Sequence, residues 1–177
     1  LLVGQSLGGY VAQVFDVLFP GRARGIVSVD SAPLGRSYYK SWELACLPFV
    51  TRMFRLYPWE TLQKASSEGN AATEAGRAIM VAMMADYSKD EYCLLSTHGF
   101  AMLADVVRSD DYAAPAAPLT LIVGERDNTG FIRKYNELWS QRTGQPIHWI
   151  EGAAHNANTD NPQAVNAIIE KVLAVGA

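Results

Sequence analysis

Three residues of this chain have the types and settings that nucleophilic chemistry needs. Ser6 lies in Gly4-Gln5-Ser6-Leu7-Gly8, a match to G-x-S-x-G, Asp127 closes Gly124-Glu125-Arg126-Asp127, and His155 follows Gly152-Ala153-Ala154. A serine hydroxyl is a poor nucleophile until a base takes its proton, and neutral imidazole is that base near pH 7. A carboxylate on the other ring nitrogen fixes the tautomer and stabilises the imidazolium. The glycine–serine pattern alone is weak, because at this chain's composition it arises by chance in on the order of one such sequence in fifteen. Its setting strengthens it. The apolar run Leu1-Leu2-Val3 ends just before it, and an amphipathic helix begins by Gly8 or Gly9. A serine on so sharp a strand-to-helix turn needs a strained backbone, and glycines two positions either side avoid clashes. The helix behind Ser6 turns free N–H groups toward a developing anion.

The elements that must position these residues are punctuated by Gly and Pro. Val11, Val14, Phe15 and Leu18 form a helical stripe that ends at Pro20-Gly21. Gly25 to Asp30 reads as a buried strand. From Leu34 to Ala114 no strand pattern appears, and helical stripes run through Ala75, Ala78, Ile79, Ala82 and Met83, then Phe100, Leu103, Ala104 and Val107. Ser66 to Asn70 reads as a loop between helices, and His98 as a helix start. Leu119 to Gly124 is a third strand, followed by a helix that carries Phe131, Tyr135, Leu138 and Trp139 inward and stops at Gly144. Ile147 to Ile150 is a fourth strand. Asn161 caps a last helix that has Pro162 at its first position and buries Val165, Ile168, Ile169 and Val172. Strands and helices alternate, and the strands are continuous apolar runs, so the expected fold is α/β: a mostly parallel sheet with helices on both faces. The intervening helical stretch of about 80 residues is too long for a loop.

Composition narrows the alternatives. Fifteen Lys and Arg against eighteen Asp and Glu give a charge of −3 over 177 residues, so no basic field exists to bind a nucleic-acid backbone. The longest apolar runs fall far below the roughly 18 residues of a membrane span. Cys46 and Cys93 have no metal-ligand spacing and read as buried, reduced thiols, and no metal is expected. No phosphate-cradling glycine motif occurs, so no cofactor is expected either. The chain opens inside an apolar run with no Met, leader or capping residue. That implies missing upstream sequence, so the lack of a signal peptide says nothing of compartment.

Ser6, Asp127 and His155 each follow a different strand, the place where ligands meet open α/β sheets. Their order along the chain, Ser then Asp then His, is the one the serine elbow predicts. With these motifs the sequence resembles the C-terminal part of an α/β-hydrolase of the esterase/lipase type. The resemblance implies a core from residues 1–34 and 115–177, with 35–114 in the position of a helical cap. It implies Ser6 as nucleophile, His155 as base, Asp127 as orienting acid and the Leu7 N–H as one oxyanion donor. The family's second donor comes from a loop this chain lacks, so the chain alone is expected to be a poor enzyme. Asp30, at the second strand's end, is the alternative acid. His148 and His98 read as structural or surface residues, and Glu125 and Arg126 as solvated loop charges. Tyr38, Tyr39, Trp42, Met80, Met83 and Met84 could line an acyl pocket. The implied partner is a small molecule with an apolar or acyl group, and the implied reaction is ester hydrolysis. Amide, C–C bond or peracid chemistry, or a non-catalytic ligand-binding role, are the alternatives.

Overall fold

The computed structural model describes residues 1–112 and 114–175. Ala113, within the expected insert, and Gly176 and Ala177, at the end of the expected core, lie outside the described residues. Four strands, β1 (Leu2–Gln5), β2 (Ile26–Val29), β3 (Leu119–Gly124) and β4 (Ile147–Ile150), form one sheet in the order β1-β2-β3-β4. Every neighbouring pair is parallel. Gln5 pairs with Val29, Val29 with Ile122 and Ile122 with His148, so the strands end in near register and the loops after them share one edge.

Alternate strand residues feed two cores. Val27, Val29, Ile122 and Ile150 face Val165, Ile168, Ile169 and Val172 of α8 (Pro162–Val175). Val123 faces Tyr10 and Val14 of α1 (Leu7–Leu18) and Ile132 and Tyr135 of α6 (Ile132–Thr143). Helices therefore cover both faces, and the interior strands β2 and β3 are buried from both sides. Asn161 Oδ1 accepts from Ala164 N at 3.1 Å and caps α8, whose proline at the first position needs no N–H partner.

Between β2 and β3 run α2 (Ser41–Val50), α3 (Trp59–Asn70), α4 (Glu74–Ala85) and α5 (Lys89–Ser109), with no strand among the described residues of this segment. It joins the main core through Leu44 and Val107. It also has a small core of its own, Leu62, Met84 and Cys93, walled by Phe54, Trp59, Met80 and Tyr92. The short α7 (Ala157–Asp160) precedes α8.

Several expectations about burial and element bounds are corrected. On α1 Val11, Phe15 and Leu18 of the expected stripe are exposed and only Val14 packs against the core, while the helix presents Gly9, Tyr10, Ala12, Gln13 and Asp16 inward. A Cβ on Gly9 would lie 2.5 Å from the Ser31 side chain. Gln13 Nε2 donates to Gly9 O and Ala32 O, and its Oε1 accepts from Leu34 N. On α4 the stripe Ala75, Ala78, Ile79, Ala82 and Met83 is exposed, while Gly76 and Met84 are buried and Met80 half-buried. Residues 66–70 continue α3, since Asn70 Nδ2 and Ser67 Oγ bond back to Ser66 O and Lys64 O. The break comes at Ala71-Ala72, where Thr73 caps α4. Phe131 stands exposed at the N-cap position of α6, its ring edge-on to Trp42. Cys46 is exposed, and His98 lies mid-helix in α5.

These assignments separate two isoleucines. Ile122→Ala should lower unfolding free energy by about 3–4 kcal/mol, because Ile122 has no exposed surface. Ile79→Ala, at an exposed site, should change it by less than about 0.5 kcal/mol. Urea denaturation of the two variants checks the ranking.

Candidate active site

Ser6 occupies the turn between β1 and α1 with φ 49 and ψ −117, a strained conformation for a residue carrying a Cβ. The turn is sewn to the neighbouring strand by Ser6 N donating to Val29 O at 2.9 Å. A Cβ on Gly4 would strike the backbone of Gly8, whereas one on Gly8 would meet nothing. The glycines this elbow needs are thus Gly4 and Gly9, rather than Gly4 and Gly8.

After β3, Asp127 N donates to Gly124 O at 3.1 Å and turns the chain back, and Asp127 Oδ1 accepts from Thr129 N at 2.8 Å. The loop after β4 packs backbone to backbone against this one. Arg126 N donates to Ala153 O at 2.8 Å, and a Cβ on Gly124 would collide with Ala154 O. Both side chains that result are buried, 0% exposed for Asp127 and 7% for His155.

The three loops converge on one imidazole. His155 Nδ1 lies 2.9 Å from Asp127 Oδ2, and His155 Nε2 lies 2.9 Å from Ser6 Oγ. A carboxylate only accepts, so the proton belongs on Nδ1, leaving the Nε2 lone pair toward the serine hydroxyl. Leu7 heads α1, so its N–H has no partner one turn earlier in the helix.

A model of the alpha/beta hydrolase family matches residues 1–168. The chain belongs to that family. It is 26% identical to a 2-succinyl-6-hydroxy-2,4-cyclohexadiene-1-carboxylate synthase of Klebsiella pneumoniae subsp. pneumoniae, over 98% of this chain and 68% of that one. Its fold is similar to a Mycobacterium tuberculosis protein described as the non-heme bromoperoxidase BpoC, with TM-score 0.71, 18% identity, and coverage of 99% of this chain and 66% of that one. A thermophilic esterase from Thermogutta terrifontis is similar at TM-score 0.64 and 17% identity, covering 98% of this chain and 64% of that one. The chain therefore spans about two thirds of the length of these proteins.

Within this α/β hydrolase, the pocket candidates separate. Met84 is buried in the insert's own core and Tyr38 lies under the Arg142 guanidinium, 4.2 Å from ring centroid to Cζ. Arg142 is in the last turn of the 12-residue α6, and such a helix is about 18 Å long. Tyr38 thus sits at the opposite end of α6 from the Asp127 loop. Met83 and Trp42 are exposed. Met80 is at the site, its sulfur accepting from Asn156 Nδ2 at 3.4 Å. Gly99 of α5 packs against Leu7, where a Cβ would come within 3.3 Å of its side chain. His148, Glu125 and Arg126 are exposed. Among the described residues no His, Cys, Asp and Glu cluster could hold a metal ion.

Asp30 is fully buried with φ 46, but it does not hold the histidine. Its Oδ1 accepts from Gly124 N at 2.7 Å and its Oδ2 from Ala157 N at 2.9 Å. Burial pushes its carboxyl up to about 7, and the two backbone bonds only partly oppose that. Gln5 is a contributor that the motif leaves unspecified: its Nε2 donates to His155 O at 2.8 Å and to Asn156 Oδ1 at 3.3 Å. No local signal marks Gln5, because both partners are some 150 residues away.

Two outcomes follow from this geometry. Gly4→Ala should abolish the ordered elbow and lower the melting temperature, whereas Gly8→Ala should fold and melt close to the parent, as thermal scans of both will show. Asp30, with its raised carboxyl, keeps a proton in the native state that the unfolded chain has released between about pH 4 and 7. Its contribution to stability therefore falls as pH rises through that window. Asp30→Asn should flatten this part of the pH–stability profile measured by urea midpoints.

Proposed function

We propose that the protein is a serine hydrolase that cleaves a carboxylic ester, or a related acyl bond, of a small molecule through an acyl-enzyme. The observation that carries the reading is the unbroken chain of two 2.9 Å contacts from Asp127 Oδ2 through His155 to Ser6 Oγ. Buried and strained groups held in this order have no use in packing, since burying polar groups and straining a backbone both cost stability.

In the proposed reaction Ser6 Oγ attacks the carbonyl carbon while His155 Nε2 takes its proton. Asp127 holds the ring and stabilises the imidazolium. Leu7 N–H, backed by the positive end of α1, donates to the carbonyl oxygen as it becomes anionic. His155 then returns the proton to the leaving alcohol, and water attacks the acyl-enzyme by the same route in reverse. Residues 1–34 and 115–177 act as the core that carries this machinery, and residues 35–114 as a cap over it. Leu7 and Met80 are proposed to touch the acyl group, with the exposed Trp42 and Met83 at the approach to it.

The test uses the full-length protein with p-nitrophenyl esters of graded chain length and a fluorophosphonate that labels activated serines. Ser6→Ala and His155→Ala should each lose roughly 10⁴-fold or more in turnover, because members of such a set act as a unit. Ser6→Ala should also lose labelling. Asp127→Asn should lose far more activity than Asp30→Asn; the opposite result would move the acid to β2. Met80→Ala should alter chain-length preference, whereas Met84→Ala should lower the melting temperature and leave that preference alone. Near-normal activity in Ser6→Ala on every ester would end this reading.

A further inference from the structure

The turn between α3 and α4 is bonded to both loops that carry the acid and the base. Asp160, the last residue of α7, reaches across to it. Asp160 Oδ1 accepts from Thr73 N at 2.9 Å and Thr73 Oγ1 at 2.8 Å, and Oδ2 accepts from Ala72 N at 2.9 Å. The same Oδ2 accepts from Ala154 N at 2.9 Å, one residue before His155. Burial works against the charge, but these hydrogen bonds outweigh it and hold the carboxyl below its ordinary range. The carboxylate also sits at the N-terminus of α4, where the helix dipole favours an anion. Gly76 makes room for it: a Cβ there would lie 2.5 Å from Asp160 Oδ1.

Asn70, at the end of α3, makes a second link. Its carbonyl accepts from Asn156 N at 2.8 Å, one residue after His155. Its Oδ1 accepts from Thr129 Oγ1 at 3.3 Å, and Thr129 N in turn donates to Asp127 Oδ1. The backbone amides on either side of His155 are therefore both tied, directly or through Asp160, to residues 70–73.

We propose that this turn is a fixed strut that sets the spacing of His155 and Asp127, with Asp160 and Asn70 as positioning residues for the reaction. This rests on the hydrolase reading above. The cap, on this view, is anchored at residues 70–76 and any opening to admit substrate takes place elsewhere. Asp160→Asn is the decisive change, because it keeps the size while an amide nitrogen cannot accept from the N–H donors around it.

The experiment measures ester kinetics, melting temperature and amide hydrogen exchange on the full-length protein for Asp160→Asn, Asn70→Ala and a control, Leu62→Ala, which loosens the core within residues 35–114 without removing a bond of the strut. For Asp160→Asn, kcat should fall about 10- to 100-fold with KM within a few-fold, as expected when a reacting group is misplaced without loss of binding. The amides of residues 153–157 should exchange at least about tenfold faster. Asn70→Ala keeps the backbone carbonyl that accepts from Asn156 N and loses only the contact with Thr129 Oγ1, so it should lower kcat more weakly and speed exchange at Thr129 rather than at residues 153–157. Leu62→Ala should melt earlier yet keep kcat and the slow exchange of that loop. Unchanged exchange in Asp160→Asn overturns the strut, and so does faster exchange with unchanged kcat, or an equal kcat loss in Leu62→Ala. A parent protein that turns over no ester, but whose loop loosens as described, upholds the strut and overturns the hydrolase reading instead.

Discussion

His155 is buried, and both of its ring nitrogens are bonded, one to a carboxylate with no exposed surface and the other to a hydroxyl on a strained turn. Each bond requires a loop from a different strand to arrive within a fraction of an ångström, and most of the architecture follows from that demand. Parallel strands in near register deliver the three loops to one edge of the sheet. The apolar runs of β2 and β3, covered on both faces, make that edge rigid.

Rigidity at the loops themselves comes from backbone meeting backbone. Gly4 lies against Gly8 in the elbow, and Gly124 lies against Ala153 and Ala154 where the acid and histidine loops touch. A side chain at either position would wedge the site open. Asp30 completes the arrangement from below, one oxygen on Gly124 N and the other on Ala157 N, so that a single carboxylate holds both loops. The desolvation that raises its pKa shows what that geometry costs.

Much of this was legible in the chain. The four strands, the order Ser, Asp, His and the setting of each after a strand are properties of local hydropathy and turn residues, and local pattern suffices to find them. The same is true of the α8 cap at Asn161-Pro162 and the stop at Gly144. The faces of α1 and α4 were not legible. A periodicity of apolar residues marks a stripe, but in these two helices the side that packs inward mixes Gly9, Ala12 and Gly76 with Tyr10, Gln13 and Met84, and most of the apolar stripe is left exposed.

The sequence by itself determined which elements form and which residues could do chemistry, because both depend on side chains near one another in the chain. Only the tertiary structure decided what meets. Gln5 reaches His155 O, Asp160 joins Thr73 to Ala154, and Asn70 spans the acid and histidine loops, at separations of 59 to 150 residues for all but the Asp160–Ala154 bond. Polar contacts of that range leave no periodic trace, since each needs only one suitable atom at the end of a path set by the whole fold. Tyr38 and Met84 make the same point in the negative. Their apolar character is plain in the chain, but whether it lines a pocket or fills a core is settled by which helix end and which neighbour they meet.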